Sequence, residues 1–267
     1  MKFIHSFYGK RCDQYGMYIN QLCFALSCLC IKKLGYEIEL HCDDSAYEYL
    51  YFLPYDNIYV DLNDLHQPKR IYAKCKFDVM KDMNLGDIHI DGDVFLLKDK
   101  IKDYLDFSDY DVIVQCKETL KNMGGYLWEE STTAFKNCDY PKWANKVCRN
   151  MYNCGIVGIN NPELKKIYFE TYYDMLSQYS KKGIDLCSVP DINIEQQFLY
   201  DLCKKNNYKV KCLLDENDLH GSAAKLGYSH LMGVSKRQLY KNVIKMIYKL
   251  DKNIYLKIKE KWNGIFE

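Results

Sequence analysis

Two carboxylates separated by a single glycine, Asp91-Gly92-Asp93, interrupt an apolar run that begins at Ile88 and resumes at Val94. Asp and Gly make polar turns in many proteins, but a solvent turn is usually flanked by polar residues, and this one has hydrophobic residues on both sides. Clustered carboxylates repel and resist joint ionisation unless a cation neutralises them. Hard oxygen ligands of this kind suit Mg²⁺ or Mn²⁺, with diphosphate oxygens able to complete an octahedron. Near the other end of the chain, His230-Leu-Met-Gly233-Val-Ser-Lys236 offers three further groups. A neutral imidazole at His230 can complete a metal site. Gly233 lets the backbone approach a phosphate, and Lys236 can neutralise it. A lone histidine is otherwise a satisfied core or surface residue, and both readings of His230 stand at this point.

The elements that must position these groups follow from periodicity. Strands are expected at Phe3 to Phe7, Glu37 to Cys42, Ile58 to Leu62, Ile88 to Leu96, Asp111 to Gln115, Gly155 to Ile159 and Lys209 to Leu213. Helices are expected over 17–34, ending at Gly35, from Ser45, over 69–83, over 163–180 and over 194–206. Gly124-Gly125 and the polar stretch Glu129 to Thr133 suggest a loop or hairpin, and 181–191 a long loop. Strands alternating with helices predict βαβ units: an α/β domain with a mostly parallel central sheet flanked by helices. Ligands bind such sheets outside the carboxyl ends of the strands, so chemistry belongs in the loops after Phe7, Cys42 and Ile90. His5 and Tyr8 are then candidates for contact with a base and ribose. A domain over 1–237 with a helical extension at 238–267 is expected.

The chain has 267 residues, 48% of them hydrophobic, enough for one large core. Lys and Arg total 37 against 36 Asp and Glu, a balance with no global attraction for nucleic acid. Thirteen cysteines could suggest a disulfide scaffold, but the count is odd and several lie inside apolar runs, as Cys23, Cys28 and Cys30 do. Reduced, structural thiols are expected. The N-terminal apolar stretch is too short for a signal peptide, and no run reaches the roughly 18 apolar residues of a membrane span. A soluble, cytoplasmic protein is expected.

Five segments taken in order resemble glycosyltransferase family 8, which carries a DxD motif at a strand end and a late HxxGxxK motif. Asp91-Gly92-Asp93 and His230 to Lys236 match these. Tyr152-Asn153-Cys154-Gly155, running on to Ile159-Asn160, is similar to the family's aromatic-Asn-small-Gly strand. Glu195-Gln196 is similar to its Asp-Gln pair, and Lys74, seventeen positions ahead of Asp91, falls where it commonly has an Arg. The resemblance implies a GT-A fold and a retaining hexosyltransferase that takes a nucleoside-diphosphate sugar, a UDP-sugar being favoured, to a glycan or lipid-linked acceptor of polysaccharide biosynthesis. It implies Mn²⁺ or Mg²⁺ on Asp91, Asp93 and His230, and departing phosphates on Lys236 and the Gly233 backbone. It puts Gln196 under the anomeric carbon, with Glu195, Asn153 and Lys74 orienting the sugar. Lys at 74 cannot form the bidentate fork of an Arg, so donor preference can differ. A silent nucleotide-sugar or glycan-binding protein, a sugar-nucleotide hydrolase and a nucleotidyltransferase remain as alternatives.

From Lys236 to Lys261 there are nine basic residues against two acidic ones. Leu239, Val243, Ile247 and Leu250 fall at helical spacing, with Lys241, Lys245 and Lys249 on another face. This suits either peripheral contact with anionic lipid or a surface helix packed on the domain.

Overall fold

The computed structural model describes residues 1–65, 73–119, 141, 150–181 and 193–263. In chain order the elements are β1 (Phe3–Phe7), α1 (Gln14–Lys33), β2 (Ile38–Cys42), α2 (Asp44–Leu50), β3 (Asn57–Val60) and α3 (Lys74–Asp82). There follow β4 (Ile88–Ile90), β5 (Val94–Leu96), α4 (Lys102–Leu105), β6 (Val112–Thr119), β7 (Asn150–Ile159) and α5 (Pro162–Lys181). The described chain ends with α6 (Phe198–Asn206), β8 (Val210–Cys212), α7 (Leu219–Leu226), β9 (Tyr228–His230), α8 (Val234–Leu250) and α9 (Lys252–Lys261). Seven of the described strands belong to the principal sheet and two, β5 and β9, to a small second one. The architecture is α/β and mostly parallel, as expected. The hairpin expected near Gly124 and the loop at 182–191 lie outside the described residues, as do positions 69–72 of the helix expected there.

The chain divides into two compact units. Unit one comprises Met1–Leu65, His89–Asp103 and Ala223–Glu267. Its strands β1, β2 and β3 are parallel, with Phe3 opposite Ile38 and Glu39 opposite Asn57. Asp13 starts α1 by accepting the amide of Gly16 at 2.6 Å, and Asp43 starts α2 by accepting that of Ala46 at 3.0 Å. Helix α1 is buried almost continuously from Met17 to Ile31, which explains why its sequence is apolar on all sides. Helices α8 and α9 bury Val243, Ile247, Ile254, Ile258 and Trp262 in the same core, and the Trp262 indole donates to the Gln21 side chain. The boundary expected at 237 therefore falls inside this unit.

Unit two comprises His66–Ile88 and Tyr104–Ser222. Here β6 pairs antiparallel with β7 and parallel with β8. A register shift between Val114 and Cys116 marks a bulge at Gln115. Asn161 caps α5 through the amides of Glu163 and Leu164, with Pro162 at the first helical position. Phe77 of α3 stacks on Tyr172 of α5, and Tyr168, Phe198 and Leu202 complete the core. The strand expected over Ile88 to Leu96 is two strands, because Asp91-Gly92-Asp93 turns the chain between sheets.

Candidate functional site

In unit one, β5 and β9 run antiparallel with Val94 opposite His230. This register sets His230 beside Asp93, and the Leu231 amide donates to the Asp93 carbonyl at 3.0 Å. His230 Nε2 lies 3.4 Å from Asp93 Oδ1, and Lys236 Nζ lies 2.7 Å from Asp93 Oδ2. One ligand atom from each of Asp91, Asp93 and His230 lies within 4.8 Å of the others, the one such group among the described residues. Burial works to push the Asp93 carboxyl up, but His230 and Lys236 outweigh it and hold the group well below the ordinary carboxylate range. For Lys236 burial works downward, and the Asp93 carboxylate reverses it, raising the ammonium above its usual value. A permanently ionised acceptor is what a cation site requires.

Gly92 permits this turn for a steric reason. A Cβ there would stand 2.4 Å from the ring of Phe24, which is buried on α1. Gly233, ahead of α8, has φ +55, and a Cβ there would meet no atom within 4 Å, so its requirement is conformational. Sequence reasoning missed His89. Its Nε2 is 2.8 Å from Ser6 Oγ and its Nδ1 is 3.8 Å from Asp91 Oδ1. Only the pairing of distant strands could have revealed it.

The remaining candidates of unit one differ from expectation in one case. His5, read as a nucleotide contact, lies within β1 and is fully buried. Its Nδ1 is 2.7 Å from the Tyr55 hydroxyl, its Nε2 is 3.1 Å from Ser27 Oγ, and Phe24 packs edge-on against the ring. Both ring nitrogens are engaged, so His5 is a core residue: side chains alternate along a strand, and His5 points inward with Phe3 and Phe7. Tyr8 is half-buried just before a tight turn at Gly9–Arg11. Asp43, fully buried and also missed, holds that turn by accepting the amides of Gly9 at 2.8 Å and Lys10 at 2.9 Å. An Asp just past an expected strand end was the available signal.

Unit two gathers the other candidates. Asn153 of β7 donates to Glu118 Oε1 at 2.8 Å and accepts the Gly155 amide at 3.0 Å. Glu195 and Gln196 lie on a π-helical turn, Asn193–Gln197, ahead of α6, and such turns recur at functional sites. Tyr168 donates to the Glu195 carbonyl at 2.8 Å. The Gln196 Oε1 atom is buried with no hydrogen-bond partner among the described residues. Lys74 pairs with Asp78 one turn along its own helix at 2.7 Å. Lys76 is the lysine that reaches Glu195, at 2.7 Å, and the Cys154 carbonyl, at 2.5 Å. Its position was legible: Ala73, Phe77 and Met80 mark the apolar face of α3, and Lys76 lies on it.

A model of a family of unknown function matches residues 1–265. No curated protein matches the chain. Among solved structures the chain is similar to the galactosyltransferase LgtC in complex with donor and acceptor sugar analogues, at a TM-score of 0.50 and 12% identity, over 99% of each chain. Mouse xyloside xylosyltransferase 1 in its apo form follows at a TM-score of 0.44 and 12% identity, over 80% of this chain and 84% of that one. An active-site mutant of LgtC gives a TM-score of 0.43 and 10% identity, over 92% and 95%. The likeness to LgtC shows a glycosyltransferase fold, in agreement with the family 8 resemblance of the motifs.

Proposed function

We propose, for a chain that belongs to DUF6734, a family of unknown function, the activity of a metal-dependent glycosyltransferase. It moves a hexosyl group from a nucleoside-diphosphate sugar, a UDP-sugar by preference, to a glycan or lipid-linked acceptor with retention of configuration. The observation that carries the reading is the convergence of Asp91, Asp93 and His230, distant in the chain, within 4.8 Å. The donor set fits a divalent cation: two carboxylates suit Mg²⁺ or Mn²⁺, and the imidazole favours the transition metal of the two. When bound, such an ion supplies an electrophile for the charge that grows on a leaving diphosphate. Lys236 neutralises phosphate, and the Gly233 backbone lets it approach. Asn153 and Glu195 orient sugar hydroxyls, and Tyr8 contacts base or ribose. Gln196 serves the anomeric centre: its Oε1 is a buried partial negative charge, suited to a carbon that becomes oxocarbenium-like.

The protein also docks on anionic lipid through α8. Arg237, Lys241, Lys245 and Lys249 are exposed at one-turn spacing on a helix with no acidic residue. Lys241, Lys245 and Lys249 have no partner among the described residues, and like charges four apart destabilise a helix unless something neutralises them. The exposed Leu239 and Tyr248 suit an interface. Because Val243 and Ile247 belong to the core, the test is charge reversal rather than truncation. The triple variant Lys241→Glu, Lys245→Glu, Lys249→Glu should no longer float with phosphatidylglycerol liposomes; unchanged flotation ends the membrane role.

Release of nucleoside diphosphate, measured with Mn²⁺ and a panel of sugar nucleotides, tests the activity. Release that depends on added acceptor supports transfer. Release at full rate without acceptor identifies a sugar-nucleotide hydrolase, and donor binding without release a silent binding protein. A protein that binds no sugar nucleotide sinks the reading.

A further inference from the structure

We infer that His89, set in place by Ser6, is a positioning residue of the cation site: it steers the Asp91 carboxylate and so raises the affinity for a divalent metal. The inference deepens the metal reading above and rests on it. All three residues belong to unit one. Strands β1 and β4 are neighbours in the principal sheet, which brings Ser6 beside His89. The Nε2 atom of His89 lies 2.8 Å from Ser6 Oγ, and its Nδ1 lies 3.8 Å from Asp91 Oδ1. His89 and Asp91 stand two residues apart, the spacing that sets side chains on one face of an extended chain.

His89 is 1% exposed and sits between the buried Ile88 and Ile90. An apolar side chain would fill that place without the cost of burying polar nitrogens. As a metal ligand the Asp91 carboxylate is ionised and only accepts, whereas the Ser6 hydroxyl both donates and accepts. The ring therefore carries a hydrogen on Nδ1, toward Asp91, and Ser6 satisfies Nε2 in either role, for a neutral or a charged ring alike. At 3.8 Å the contact with Asp91 is an attraction between a charge and an N–H dipole rather than a hydrogen bond. Asp93 is gripped by His230 and Lys236, and its side chain is 10% exposed against 33% for that of Asp91. Asp91 thus has the greater rotational freedom to lose when the ion binds. His5 supplies the contrast, since its nitrogens meet the neutral hydroxyls of Tyr55 and Ser27 and no ligand of the site.

Mn²⁺ titration followed by electron paramagnetic resonance, referred to the folded fraction of each protein, tests this without turnover. His89→Phe, which keeps a buried ring, should weaken Mn²⁺ about 10- to 100-fold. His89→Gln retains an amide N–H and should recover part of that loss. Ser6→Ala should weaken Mn²⁺ in the wild-type background and add nothing beside His89→Phe, because its action passes through the ring. A merely structural role would lower the unfolding temperature and leave the affinity of the folded protein unchanged. Ser6→Ala removes a single hydroxyl, so it remains measurable where a ring variant fails to fold. Wild-type Mn²⁺ affinity in folded His89→Phe or in Ser6→Ala, or an equal loss from Ser6→Ala in both backgrounds, overturns the inference and leaves Asp91, Asp93 and His230 as the metal ligands. A wild type that binds no Mn²⁺ removes the metal reading as well.

Discussion

Replacing His5 by Gln should flatten the acid limb of the stability curve. The imidazole is fully buried, and burial pushes its pKa down from 6.5 to about 3, a shift that the Asp93 charge opposes only in part. The unfolded chain therefore takes up a proton that the folded chain refuses. The contribution is present in full above the unfolded value and is lost as pH falls toward the folded one, because the folded pKa is the lower of the two. Within that window each pH unit removes about 1.4 kcal/mol, so lowering the pH from about 7 to about 5 costs about 2 kcal/mol through this residue alone. Gln retains a donor and an acceptor for Ser27 and Tyr55 but does not titrate. Urea unfolding of both proteins at the two pH values reads the effect as a difference of differences. Equal pH dependence in wild type and variant would refute the burial argument, and a large loss of nucleotide affinity in His5→Gln would restore the ring as a contact.

Asp93→Ala should abolish Mn²⁺ binding in a titration followed by electron paramagnetic resonance. It should also lower unfolding stability by up to about 3 kcal/mol, since the Lys236 ammonium loses its carboxylate; retained Mn²⁺ affinity would remove Asp93 from the metal site. Gly92→Ala should cost about 1–3 kcal/mol through the clash with Phe24, and adding Phe24→Leu should recover part of it in thermal unfolding. Gly233→Ala meets no neighbour within 4 Å, so its cost of about 1–3 kcal/mol comes from a positive-φ backbone conformation that side chains rarely adopt and should resist relief by any truncation nearby.

The alternation of strands and helices, the α/β class and the acidic turn at Asp91-Gly92-Asp93 were legible because each is local. Periodicity reports which face of an element is buried, and an interrupted apolar run reports a turn. The strand that carries Asn153 runs from Asn150 to Ile159, but the pattern began it at Gly155 and only the family resemblance put Asn153 on it. The pattern did put Glu195-Gln196 at the start of a helix. It could not say that Ile88 to Leu96 divides between two sheets, since apolar residues read alike in either. Lys74 came from the family resemblance, whereas the apolar face of α3 pointed to Lys76, two residues on; only the tertiary structure shows that this face brings Lys76 to Glu195. His5 illustrates the same limit: a polar residue in a strand looks like a surface group until Ser27 and Tyr55, far along the chain, satisfy its nitrogens. The approach of His230 and Lys236 to Asp93 depends on the pairing of β5 with β9. Strand register between distant segments is set by packing of the whole unit, and tertiary structure alone decided it.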